Sequence, residues 1–403
     1  MSDEKGLEQP PTERFILPSL AISRLNIAPP QVLTALLLVD IALSFGIPVG
    51  VAGQIRTISA IAAVVSALLI SVLSIRFNHK SLLLVGLAFL TISALGCGLA
   101  PDFNSMVVSY SLTGLGVAMV TAMTNTLVAE YFPVEKRAGA MGWVVASGAM
   151  IYAIGAPVVS LIAGFGGWRM AFLGFVLTLS LFSLPLAFTG LPSISRNPQS
   201  RTGRETYLGG FKDIFSNRSA VACLLGPTLS MTAWQAMLLY SSSFLRQQFL
   251  LPTSLVSLSS MASASSYTIG SLVSGRFVNK LGRKPLTVLA SLLSGLFIMS
   301  YMIIPNLWAA LVVNYIACLF TGIRYTAATS LTLEQIPAFR GTMMSLYSAA
   351  DSIGAALGTG IGGLVLLLYN YELLGVSLGA MGIIASILLY LLAIDPTKTS
   401  TMK

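Results

Sequence analysis

The chain is 403 residues long, 55% hydrophobic and only 9% charged, with a mean hydropathy of +0.84. Soluble domains carry roughly 25% charged residues, so a water-facing globular protein is excluded. The net charge of +9 does not mark a nucleic-acid binder, because the basic residues sit in short connectors between apolar runs and form no basic domain.

The opening MSDEKGLEQPPTERF is polar and lacks the apolar core of a secretory signal peptide. Twelve apolar runs follow, near residues 16–39, 51–75, 81–100, 105–128, 138–164, 168–190, 219–243, 253–275, 285–304, 307–331, 342–368 and 373–394. A helix of about 20 residues crosses a bilayer and satisfies its own backbone hydrogen bonds in lipid. The runs are continuous rather than alternating, which argues against a spanning barrel. The expected fold is an all-α membrane protein with twelve transmembrane helices. Arg24, Asn26 and the Pro29-Pro30 pair interrupt the first run and predict a bent or unwound helix. A topology of eleven spans, dropping that run, is the rival.

With twelve spans, eighteen lysines and arginines fall on the side of both termini and two, Arg169 and Arg246, on the other. Arg24, Arg56 and Arg324 fall inside spans. This asymmetry predicts both termini in the cytoplasm of a multi-pass protein of the plasma (cytoplasmic) membrane. The polar, basic connector 191–218 reads as a cytoplasmic linker between a half at 1–190 and a half at 219–403.

Cys97, Cys223 and Cys318 all lie in apolar runs without metal-ligand spacing, and His79 is the single histidine. No metal, cofactor or enzymatic nucleophile–base set is expected. GTGIGG at 358–363 satisfies G-x-G-x-x-G, yet no βαβ unit surrounds it; its glycines are expected to let helices approach closely. No G-x-x-x-x-G-K-[ST] loop appears, against an ATP-driven motor in this chain.

An internal repeat is visible at an offset of 204 residues. SVLSIRFNHKSLLL, from Ser71, matches GRFVNKLGRKPLTV, from Gly275; AEYFPVEKR and LEQIPAFRG pair Glu130 with Glu334 and Pro133 with Pro337. On these segments the chain resembles the major facilitator superfamily over essentially its full length, and within it the twelve-span drug:proton antiporters and sugar exporters. The family's loop signature G-x-L-a-D-r-x-G-r-k is met in the second copy by Gly275, Gly282, Arg283 and Lys284, with Asn279 at the aspartate. The first copy keeps Leu73, Arg76 and Lys80, while Ser71, Ile75 and Asn78 depart. GGWRMAF at 166–172 and the degenerate GAMIYAIGAP at 148–157 resemble further family segments. Tyr110, in YSLTG, stands where proton-linked members carry an arginine.

The resemblance implies two pseudo-symmetric six-helix halves and alternating access around a site near the midplane. It implies that spans one, four, seven and ten line a central cavity, which makes Arg24, Asn26, Tyr110, Asn125, Trp234, Gln235, Asn314 and Arg324 the substrate or coupling candidates. Asn314, Thr321 and Tyr325 follow helical spacing and form one polar stripe beside Arg324. An arginine at a helix centre costs about 2.5–3.5 kcal/mol on insertion scales, so it needs a partner or water. Counting residues from the basic side puts Asp351 level with it. The pair reads either as a static pin between two helices or as a substrate or coupling-ion site. Asp40 with Arg56 reads as an outer clasp or a transport pair. Glu130 with Arg76, and Glu334 with Arg276 or Arg283, read as gate latches or as solvated loop charge. Arg24 could instead reach the interface along its own stem.

The expected function is export of a small drug-like or sugar-like solute in exchange for protons, by a monomer with the lipid bilayer as its medium. An importer or facilitator, and a transporter-like sensor, remain as alternatives.

Overall fold

The computed structural model describes residues 11–192, 213–336 and 339–395, and these residues are almost wholly helical. Helix α1 is broken into Pro11–Leu25, Pro29–Leu36 and Leu38–Phe45. It is followed by α2 (Gln54–Arg76), α3 (His79–Leu99), α4 (Phe103–Tyr131), α5 (134–165) and α6 (168–190). The second set is α7 (Arg218–Gln248), α8 (Thr253–Leu281), α9 (Arg283–Tyr301), α10 (Leu307–Leu333), α11 (Arg340–Leu368) and α12 (Tyr371–Leu392).

Among the described residues nine helices are long and apolar enough to cross a membrane, ten if the bent first one counts as a span. The 52-residue stretch Gly139–Gly190 holds two of the twelve, because Gly166 and Gly167 leave the helical region between them. Gly167 sits at φ 70°, where a side chain would be strained. Serine-rich α8 completes the set; its hydroxyls bond back along the helix, as Ser260 does to Val256 O at 3.0 Å and Ser263 to Ser259 O at 2.9 Å. The Pro29-Pro30 interruption is present as a turn at 26–28, and a 63° bend follows between Phe15–Leu36 and Leu38–Phe45. Proline disfavours helical backbone in the residue before it, which explains the turn.

Two compact units emerge. The first comprises Met1–Leu33 and Val65–Asn197. Here α3 packs along α4, with Leu83, Leu87 and Leu90 against Val120, Met123 and Leu127. The Ser93 and Thr113 hydroxyls, 2.6 Å apart, join the same two helices.

The second unit comprises Thr34–Val64 and Pro198–Lys403. Residues 34–64, the end of α1 and the start of α2, thus pack with the C-terminal helices. Glycines make its helix contacts. A Cβ at Gly322 would collide with the Tyr267 carbonyl and one at Gly270 with the Leu319 carbonyl, which locks α8 onto α10. Gly354 and Gly358 meet the carbonyls of Thr228 and Thr232 in the same way, locking α11 onto α7. GTGIGG is therefore a backbone contact surface, as small residues are in membranes.

Candidate functional site

Arg324 lies on α10, nine residues before its end at Leu333, and is 2% exposed. Its Nη2 is buried with no hydrogen-bond partner. Asp351 is near enough to feel its charge, but no ion pair within 4.0 Å joins them. The carboxylate instead has Tyr325 within hydrogen-bonding reach. Tyr347, one turn before Asp351 on α11, sits in the electrostatic range of Asp351, Arg324 and Tyr267. Its ring lies 6.4 Å from that of Tyr325, and Thr329 donates to its hydroxyl at 3.3 Å. Tyr267 of α8 stacks on Trp234 of α7, ring centroids 5.2 Å apart and planes 16° from parallel. Four helices of one unit thus bring a guanidinium, a carboxylate, three tyrosines and a tryptophan together.

Tyr267 and Tyr347 were not candidates from the sequence, since a tyrosine in an apolar helix carries no signal of its own. The spacing of four between Tyr347 and Asp351 is the signal that points to one shared face.

Other candidates lie elsewhere. Asn314 is buried and donates to Ser263 at 2.9 Å, tying α10 to α8. Ten residues from Arg324, it is about 15 Å along the helix, and Thr321 bonds to its own helix at Ala317 O. Of the expected polar stripe, Asn314 therefore ties α10 to α8, Thr321 bonds back to its own helix, and Tyr325 lies at Asp351. Gln235 on α7 has its Oε1 buried without a partner. In the first unit, Asn26 accepts from Ser180 at 3.1 Å and donates to Ile22 O, holding α6 at the break in α1. Tyr110 is fully buried and donates to the Pro30 carbonyl at 3.1 Å, on the same broken stretch. Arg24 is half-buried, with its stem near Gly148 of α5 and its Nη1 buried. Asn125 is exposed on α4.

The outer clasp differs from expectation. Asp40 pairs with Arg246 of α7 through both guanidinium nitrogens, one of them at 2.8 Å. Arg56 instead donates to Thr34 at 3.3 Å. In the same unit, Gln54 donates to Gly360 O at 3.3 Å, Thr57 bonds Thr359 at 3.0 Å, and Tyr240 donates to Thr359 O at 3.0 Å. Arg246→Asp is expected to destabilise the protein by roughly 1–3 kcal/mol, the range for a charge-assisted bidentate pair discounted for its partial exposure. The swap Asp40→Arg/Arg246→Asp should recover most of the loss in thermal midpoint; a swap no better than the single change would show that the pair is not its source.

At the basic ends, Glu130 meets His79, Nδ1 to Oε1 2.6 Å. The side chains of Arg76 and Asn279 lie outside the described residues. Lys80 donates to the carbonyls of Phe188 and Leu191 at 2.8 and 2.5 Å, capping the end of α6. Glu334 pairs with Arg283 at 3.9 Å, and Lys284 lies 5.7 Å from the Tyr390 ring centre. Gly282 adopts φ 90° in the turn from α8 to α9, a conformation that explains its glycine. Gly275 faces open space.

Comparison with known proteins bears on what such a molecule is. A family model described as Major Facilitator Superfamily matches residues 25–266 and 225–402. The MFS-type transporter YceJ of Bacillus subtilis (strain 168) is 26% identical over 320 residues, 79% of this chain and 81% of that protein. The "probable sugar efflux transporter" of Pasteurella multocida (strain Pm70) is 23% identical over 376 residues, 91% of this chain and 90% of that one. Among solved structures, a bacterial homolog to the human lysosomal transporter Spinster, inward-facing and occupied, shares the fold with a TM-score of 0.79 at 17% identity, over 97% of this chain and 98% of that one. With twelve helices among the described residues, a repeated loop signature and a family match over nearly its whole length, the chain belongs to the Major Facilitator Superfamily and is a multi-pass membrane transporter.

Proposed function

We propose that the protein exports a small organic solute across the cytoplasmic membrane, as a monomer with both termini in the cytoplasm, by alternating access coupled to protons. The observation that carries the site is the buried Nη2 of Arg324, left without a partner although Asp351 is close. A static pin would close that pair, because an unsatisfied buried charge-bearing group costs more than a neutral one and a locked ion pair removes the penalty. An open guanidinium nitrogen among tyrosine hydroxyls is instead a place for a ligand. Asp351 is the residue through which proton coupling would run, since Tyr110 occupies the position of the family's usual arginine. Export is favoured by the resemblance to the efflux group and by the efflux name of the Pasteurella protein.

Cells preloaded with labelled sugars and small aromatic solutes should release at least one of them faster when the wild type is expressed than when Arg324→Ala is. Release unaffected for every solute, or a gain in uptake alone, would overturn export.

A further inference from the structure

Resting on that reading, we propose that the exported solute bears a carboxylate on a planar apolar body, binding Arg324 through the carboxylate and the Trp234–Tyr267 stack through the body. The cluster has one guanidinium and one carboxylate, so it is close to neutral, and the guanidinium offers a hydrogen-bond donor that none of the described residues takes. Arginine presents its donors in a planar fork that fits a carboxylate, and a carboxylate accepts more strongly than a neutral oxygen. A cationic solute would be repelled by Arg324. A neutral one would leave the stronger part of its donor capacity unused. Two stacked, half-buried rings, 5.2 Å apart, flank the cluster and provide apolar, flat surface at its edge.

The same charges fix the sense of proton coupling. The titratable and charged groups beside Asp351 are Arg324 and Tyr325 from α10 and Tyr347 from its own helix; Tyr267 of α8 lies beside Tyr347, and the uncharged Trp234 of α7 stacks on Tyr267. A bound solute carboxylate would place two carboxylates beside one guanidinium in a poorly screened site. Like charges at that range do not both remain ionised, so the anion brings a proton onto Asp351. No bond to carbon forms or breaks; one proton moves from water to the Asp351 carboxylate as the anion docks, and both leave together. The transported species is then electrically neutral overall. The direction of coupling becomes co-transport, opposite to the exchange that the family resemblance implies, and net export requires an outward solute gradient that exceeds any opposing proton gradient.

Three probes sharing one ring separate the possibilities: benzoate, benzamide and benzamidine, which are anionic, neutral and cationic at neutral pH. In equilibrium binding of the labelled compounds to the purified protein in nanodiscs, benzoate should bind at least about tenfold more tightly than either of the others. Arg324→Gln should remove that preference and Arg324→Lys should keep part of it. In weakly buffered solution, benzoate should take up about one proton per site in the wild type and none in Asp351→Asn, which still binds it. Equal or tighter binding of benzamide or benzamidine, absence of benzoate binding, or a preference unchanged in folded Arg324→Gln would overturn the proposal. If the glutamine variant fails to fold, the ranking of the three probes by the wild type decides alone. Failure of the export reading is separate: benzoate bound and moved only inward would sink export and leave the carboxylate site standing. Arg324-dependent release of a neutral solute, with benzoate inert, would do the reverse.

Discussion

Arg324→Ala is expected to abolish solute release while the protein still accumulates in the membrane. The two halves of this expectation have different physical origins. Alanine removes the only guanidinium in the tyrosine cluster, so a solute loses its charge-assisted contact and Asp351 loses the positive charge beside it. For a charged group, one such contact is worth about 1.5–3 kcal/mol in binding, and the loss on the transport step adds to it. Folding is affected much less. The fully buried arginine makes no ion pair that its removal would break, and its Nη2 has no partner to orphan. Alanine also relieves the membrane cost of a central arginine, about 2.5–3.5 kcal/mol on insertion scales. Quantitative immunoblots of membrane fractions alongside release assays check both halves. Normal release by a well-accumulated mutant would remove Arg324 from the site; loss of the protein itself would restore the static-pin reading.

The second large effect is predicted at a residue with no chemistry at all. Gly358→Val should strip folded protein from the membrane, whereas Gly275→Ala should leave its level near wild type. At Gly358 an added Cβ falls on the Thr232 backbone carbonyl, and a backbone cannot swing aside as a long side chain can. Overpacking ordinarily costs about 1–3 kcal/mol when side chains can adjust. Here α11 must separate from α7 along its length, so at least about 3 kcal/mol is expected, out of a total stability on the order of 5–15 kcal/mol. At Gly275 the space around the Cβ position is open. Detergent-extracted protein run on size exclusion would show it. A monodisperse Gly358→Val peak at wild-type yield would mean the helices tolerate the separation.

The sequence was most informative where a residue conflicts with its surroundings. Arg324 stood out because a charge in an apolar run needs a reason, and counting residues placed Asp351 at its level. Pro29-Pro30 announced the break in α1, and the glycines of 358–363 announced a close helix contact. It was least informative where the partner is far along the chain. Nothing local to Asp40 distinguishes Arg56, sixteen residues away, from Arg246, separated by 206; nearness favoured the wrong one. Asn314 shows a different limit: helical spacing cannot tell a face that meets solute from one that meets α8, to which Asn314 bonds through Ser263. Tyr267 and Tyr347 stayed hidden because an aromatic residue in a membrane helix is ordinary until its neighbours are known.

The packing of residues 34–64 against the C-terminal helices sets a timetable for biogenesis. Gln54 and its acceptor Gly360 are separated by 306 residues. At ribosomal speeds of about 5–20 residues per second, the start of α2 therefore waits from roughly 15 seconds to a minute for the strip of α11 that will hold it. Until then Gln54 and Thr57 lack the partners on α11 that they will finally have. A nascent chain arrested before α11 is thus a half-closed hairpin with exposed polar groups, a form that membrane quality control can recognise. The last helices to leave the ribosome complete the first ones to enter the membrane.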